Sequence, residues 1–540
     1  MPRKELPARP DVQQYKKQAK ELLKSHAAAD ADALARFAQH HPRFENKSQQ
    51  EIARARVALA DAQLVLAREH GFESWPKFSR QIEAINIERA VAEVTDPVAA
   101  FIIAAVVPRD AYHRSGQIDQ AEKIREKFPQ VAAANIYTAA ILADESRVRE
   151  LLARDPALAT AKGGPHEWDA LSHLCFSRYL LRDASRSDAF VRTARALLDA
   201  GASANTGWME NDYAPKGTWE SVMYGAAGLA QNAVLTKLLL EYGADPNDGE
   251  TEYHVPETYD NTVLEILVDS GKLNERSLAW LLLRKCDWHD EAGLKYLLAH
   301  GANPNLGVPI GYNSLQHGLR RDNGLIMIEE LLVHGADPLL KNERDGRSAV
   351  SIAARRGRGD VLRLLEQRGI GFGLEGVEKL IAAGAMANRE RIRELASHEP
   401  ALVPQLIAEG GEFLAEFAGN ANADGMRCLF ELGVSPTALY GGDPYFEIAK
   451  ESTALHVAAW RAWPAVVKEL IARGSPINAL DGEGRTALQL AVKATVDSYW
   501  KRRRTTESIE ALLVAGATLD GVEIPCGWDE ADAVLLRYVK

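Results

Sequence analysis

Few stretches of this 540-residue chain place chemically useful side chains at a workable spacing. Cys286-Asp287-Trp288-His289-Asp290-Glu291 sets a thiol and an imidazole three positions apart, which is half of a zinc site. A structural zinc needs four matched ligands, and no second pair follows. The segment therefore reads as apolar packing of Cys286 and Trp288 beside a solvated acidic turn. Gly371-Phe372-Gly373-Leu374-Glu375-Gly376 satisfies GxGxxG, but that motif grips a pyrophosphate only between a buried strand and a helix N-terminus. The residues before it, Val361 to Arg368, have helical periodicity, so a plain turn is expected. Lys501-Arg502-Arg503-Arg504 is the densest basic run; it is a weak nucleic-acid signal, and a solvated loop is expected. No GxSxG, HExxH, Walker or EF-hand pattern occurs.

The most informative residues lie in two long connectors. Residues 206–224 carry Trp208, Tyr213, Trp219 and Tyr224, and residues 247–262 carry Tyr253, His254 and Tyr259. Further connectors hold Tyr312, Tyr440, Tyr445 and Phe446. The first two also carry Glu210, Asp212, Glu220, Asp248, Glu250, Glu252, Glu257 and Asp260 against a single Lys216. Rings exposed on a polar connector make binding hot spots, because a rigid ring buries much area at low entropic cost. The competing reading is that they only pack the enlarged connectors against one another. An acidic rim would favour a basic or amphipathic peptide. An enzyme would instead use Glu252 or Glu257 as an acid in this aromatic-acidic groove, but no paired nucleophile and base accompanies them.

These connectors join repeated helical units. Ser452 to Asn478 reads as one: Thr453 caps a first helix, Trp463-Pro464 starts a second, and Gly474 stands where a helix exit needs a left-handed residue. Equivalent exits recur at Gly201, Gly243, Gly301, Gly335, Gly369, Gly433 and Gly516, with successive spacings of 42, 58, 34, 34, 64, 41 and 42 residues. A unit of this kind cannot bury its apolar face alone and must stack on its copies. Asn135–Ala159 and a segment ending Glu399-Pro400-Ala401-Leu402 show a variant that exits through Pro-Ala-Leu. In the tail, a closing helix is expected to turn Leu535 and Leu536 inward.

The segments Gly243–Asn247, Gly301–Asn305, Asp345–Ala354, Thr453–Ala459 and Gly484–Val492 resemble the ankyrin-repeat family of bacterial type, although Ala454 and Ala487 stand where its proline is usual. Asp61–Ile85 is similar to a helical segment that precedes the repeats in many bacterial members. The resemblance implies an all-α fold, an ankyrin α-solenoid with long hairpin-finger insertions and an N-terminal helical cap. It divides the chain into a helical segment 1–95, a connector or degenerate repeats 96–134, about ten repeats over 135–520, and a capping helix 521–540. It also implies that His456 ties adjacent loops by hydrogen bonds. The function implied is non-enzymatic binding of a protein or peptide on the concave finger face.

Composition fits this reading. Net charge is −11, against a general nucleic-acid or anionic-membrane binder. Four separated cysteines form no disulfide framework and suit a reducing compartment. The basic N-terminus lacks an apolar signal core, and the longest apolar run, 98–107, is too short to span a bilayer. A cytoplasmic monomer without cofactor or metal is expected.

Overall fold

The computed structural model describes residues 3–539 apart from Ala8, Arg56, Ala58, 108–117 and 211–216. The chain is mostly helical, with two short two-stranded antiparallel ribbons among the described residues. It divides into two units. One holds residues 1–255 and 262–273, and the other holds 256–261 and 274–540.

The same local grammar builds both. A helix ends on a left-handed residue, an Asn or Asp often caps the antiparallel second helix, and a glycine ends that helix in turn. In Asn232, Asp290, Asn388 and Asn422 the cap side chain accepts a backbone N–H of the second helix, which satisfies a donor the helix leaves open. All eight exit glycines have positive φ, from 73° at Gly369 to 100° at Gly433. At Gly474 an added Cβ would meet nothing within 4 Å, so its requirement for glycine is conformational rather than steric. Four residues beyond several exits an asparagine links one exit to the next. Asn305 donates to Gly335 O (2.8 Å) and accepts from Asp337 N–H (2.7 Å), and Asn205 and Asn478 repeat the pattern on Gly243 and Gly516.

In the first unit, the N-terminal helices Val12–Ala27, Ala31–His40, Gln49–Arg54 and Leu59–Glu69 enclose Leu22, Phe37, Ile52 and Leu66. The sequence suggests one long helix over Ile52–His70. Two helices form instead, and the break lets Ile52 and Leu66 enter the same core. Buried Glu69 binds Arg36 (2.6 Å) and Lys4 (2.8 Å). Further on, Ile136–Ile141, Ala170–Cys175 and Tyr224–Leu229 pack in succession. The helices Glu145–Arg154, Ser187–Asp199, Ala233–Glu241 and Thr262–Asp269 pack each on the next beside them.

In the second unit, Ser314–Arg320 packs between Glu275–Asp287 and Ala349–Arg355, and Ala454–Trp460 packs between Gly410–Gly419 and Ala487–Val496. The 256–261 segment is held by Lys285, whose fully buried ammonium donates to Thr258 O (2.8 Å) and pairs with Asp290 (2.8 Å). Around Ala454–Trp460, Thr453 N–H donates to His456 Nδ1 (3.1 Å). His456 Nε2–H reaches Ala479 O (3.0 Å) and Arg485 O (3.2 Å), tying adjacent loops as expected. The residues before the 371–376 glycines are the helix Gly359–Gln367 and no strand, so those glycines lie in an irregular connector between helices. Two expectations fail here. In the tail helix Asp529–Leu536, Val534 and Leu535 are buried but Leu536 is exposed, because the inward stripe falls one residue earlier. The 501–504 run is solvated at Lys501, Arg502 and Arg504 but is not a loop: Tyr499–Arg503 is a short 3-10 helix, and the Arg503 guanidinium lies 3.8 Å from the Trp463 ring centre.

Candidate functional site

The first connector folds as a two-stranded ribbon, Gly207–Glu210 paired with Thr218–Ser221. Side chains alternate across a ribbon, and the register sets Trp208 opposite Glu220 and Met209 opposite Trp219. Trp208 is on the inward face, stacked at 4.6 Å on Trp168 and edge-on to Phe176 at 5.4 Å. Met209 and Trp219 face out, 41% and 39% exposed. Tyr224 opens a helical turn and is fully buried near Phe176 (6.1 Å) and His254 (5.0 Å). For Trp208 and Tyr224 burial corrects the partner-contact assignment and favours the competing reading, in which the rings pack the connector. Both are core residues, since each sits where its strand or turn faces the helices.

The other expected residues scatter. Glu252 is buried and accepts Gly249 N–H (2.7 Å), an N-terminal cap of Glu250–His254. Tyr253 and His254 pack edge to face at 4.9 Å, and His254 pairs with Glu250 at 3.3 Å. Tyr259 is 61% exposed but belongs to the second unit, edge-on to Trp288 at 6.2 Å. Tyr213 lies outside the described residues. Met209 was missed by sequence reading; the alternation Trp208-Met209-Glu210 was the available signal.

The acidic rim is also partly internal. Glu210 and Glu220 are both buried. Burial, then the nearby Glu250 and Glu210 charges, push the Glu220 carboxyl up to about 8. Asp248 accepts Ser221 Oγ, Thr251 N–H (2.7 Å) and Thr251 Oγ1 (2.7 Å), yet burial still lifts it to about 6. Among the described residues, no group of three or more His, Cys, Asp or Glu is placed to hold a metal ion. Cys286 is fully buried and its thiol is pushed up by burial, in keeping with a packing role.

The second unit gathers a different set, which sequence reading did not find. The left-handed turn between paired helices falls at His289, Asp322, Ala387, Ala421 and Ala462, with φ between 50° and 57°. Asp322 therefore projects from a turn, and Arg356 clamps it through Nε and Nη2, both at 2.8 Å. Arg461, 139 residues away, binds the same carboxylate. Arg356 also reaches Glu416 (3.2 Å), which accepts the Tyr440 hydroxyl at 2.7 Å. Asp287 accepts His317 Nε2 (2.8 Å) and Arg321 Nε (2.5 Å) and pairs with Arg284. The Tyr445 hydroxyl donates to Asp287 O (3.2 Å), and Arg321 stacks 3.4 Å from the Tyr445 ring centre. Burial opposes ionisation of Asp287 and Asp322. The bond from His317 and the surrounding arginine charges outweigh it and hold both well below the usual carboxylate range.

Residues 450–482, the stretch around Ala454–Trp460, match the family model described as ankyrin repeat. The human ASB11 ankyrin repeat domain is a similar solved structure, with 22% identity and a TM-score of 0.21, covering 44% of this chain and 98% of that one. A comparison with curated proteins finds no match. No helix among the described residues is long and apolar enough to cross a membrane.

Proposed function

We propose that this chain is a non-enzymatic, cytoplasmic ankyrin-type solenoid that binds a protein partner, and that the outward face of the 207–221 ribbon is its contact surface. In this reading the 135–520 helix pairs are the repeats, the preceding helices cap them, and the ribbon is one of their finger insertions. The family match at 450–482 supports the repeat assignment, and ankyrin repeats generally mediate protein–protein interaction. The observation that carries the surface is the exposed cross-strand pair Met209–Trp219, held on a ribbon whose opposite face is fixed by the Trp208–Trp168 stack. A preorganised apolar pair loses little ordering entropy on binding. The partner chemistry that fits is an amphipathic peptide whose apolar side covers these two residues. Glu220 carries a raised carboxyl, as an acid catalyst would, but it faces the core and not a substrate.

The test is a display selection of peptides on the wild-type protein, followed by affinity measurement on Met209→Ala/Trp219→Ala. Both residues are exposed, so circular dichroism and melting are expected to stay close to wild type, within about 0.5 kcal/mol. Selected peptides are expected to bind the double variant at least about tenfold more weakly. Equal binding to both proteins would refute the ribbon as the contact surface.

A further inference from the structure

Within the second unit, the 3-10 turn Pro444–Phe446 precedes the helix Ala454–Trp460, and Tyr499–Arg503 follows Ala487–Val496. Together they wall a half-open cavity of about 150 Å³ with the rings of Tyr445, Phe446, Trp460, Tyr499 and Trp500. That is about the volume that holds one benzene ring in an apolar protein cavity.

The walls are fixed by their own hydrogen bonds. Asp443 N–H donates to Ile448 O (2.9 Å) and Ile448 N–H to Asp443 O (3.0 Å), which closes the first turn. Trp460 Nε1–H donates to Phe446 O (2.6 Å) and joins that turn to its helix. Ser498, also in the lining, accepts Trp500 N–H (3.0 Å) and donates from Oγ to Ala494 O (2.7 Å), so the second turn is tied to Ala487–Val496. Rings held in this way need little further ordering to receive a ligand.

The charges at the cavity are matched. Asp287 and Glu447 line it, but Asp287 is held by Arg284, His317 and Arg321, and Glu447 by Lys493 at 3.1 Å. Arg321, Arg461, Lys493, Arg502 and Arg503 stand outside the lining, each 3.4 to 5.0 Å from the centre of one of the five rings. An anionic ligand would face the two carboxylates. A cationic ligand would meet rings already engaged by cations. The remaining lining group, His289, is pushed down to about 4 by burial and then by the Arg502 charge, so it adds no charge near neutral pH. The wall gains nothing from either sign of charge and offers flat apolar contact.

We propose that this cavity binds an uncharged six-membered aromatic ring, packed against Tyr499 and Trp500. Such a ring has two sources, a free aromatic molecule or an aromatic side chain on a peptide. The 207–221 ribbon belongs to the first unit, and the proposal does not rest on the reading of that surface.

Titration calorimetry on the full chain tests it with benzyl alcohol, benzylammonium and benzoate, which keep one ring and change its charge. N-acetylphenylalanine amide carries the same ring on a neutral peptide unit. Saturable binding is expected from benzyl alcohol or the amide, and the tighter of the two identifies the source. Both charged ligands are expected to bind at least about tenfold more weakly than that one. Tyr499 is half exposed, so Tyr499→Ala is expected to keep the circular dichroism spectrum and to weaken the neutral ligand by about tenfold. Tyr499→Phe restores the ring without the hydroxyl and is expected to bind as wild type does. A charged ligand bound as tightly as the neutral ones, no saturation with either neutral ligand, unaltered affinity in Tyr499→Ala, or equal weakening in both variants would overturn the proposal.

Discussion

Buried carboxylates occur in both units, and Glu220 of the first and Asp322 of the second have opposite surroundings. Beneath the ribbon of the first unit, Glu220 has other acids as its main charged neighbours. In the second unit, Asp322 sits between two arginines and Asp287 among Arg284, Arg321 and His317. Burial therefore holds a proton on Glu220 near neutrality, whereas Asp322 stays charged against the same burial because Arg356 and Arg461 flank it. Burial alone does not determine a carboxylate's state; the sign of its neighbours does. The arginine-clamped acids tie distant segments together through charge. The ribbon region is joined by ring stacking and by the neutral donors Ser221 and Thr206, which bond Asp248 and Asp169.

The largest expected effect breaks the clamp. Asp322→Ala leaves Arg356 and Arg461 buried around a lost counter-charge and is expected to cost ~3–5 kcal/mol in a urea titration. An unchanged midpoint would show that the clamp contributes nothing to folding. Next comes the ribbon's anchor. Trp208→Ala removes a ring stacked on Trp168 and is expected to cost ~3 kcal/mol. Stability close to wild type would mean that the inward face of the ribbon is not core, and the contrast with Trp219 would collapse.

The smallest effect sharpens the difference in sign. Glu220 has a folded pKa of about 8 against an ordinary 4.5, so the folded state holds a proton that the unfolded state gives up between those values. Its contribution to stability is fully present below the lower value and is lost as pH rises through the upper one. Asp322, held low, contributes in the opposite sense: its stabilisation is present above the ordinary carboxylate value and is lost only as strong acid protonates the folded state. Glu220→Gln is therefore expected to raise the melting temperature progressively as pH rises from about 4.5 to about 8, and to leave it nearly unchanged below about 4.5. A rise of equal size in both ranges would show that charge is not the cause.

The helical grammar was legible because its causes are local. A left-handed exit requires glycine at Gly474 whatever surrounds it, the Asn of Gly301–Asn305 links exits separated by one repeat, and Trp463-Pro464 marks a helix start by proline's fixed geometry. Ribbon faces were only half legible. Aromatic content singled out the connector 206–224, but which rings point inward depends on strand register, and that placed Trp208 in the core and Trp219 in solvent.

Thus the sequence by itself determined the helix pairs, their exits and their repetition, since each depends on backbone conformation within a few residues. The tertiary structure alone decided the ion pairs and the cavity. Asp322 meets Arg461 across 139 residues and Tyr445 meets Asp287 across 158. No periodicity encodes such pairings, because they arise from how successive helix pairs stack and from where the 439–453 and 497–506 segments come to rest. Charge and ring identity then select among the neighbours that stacking provides.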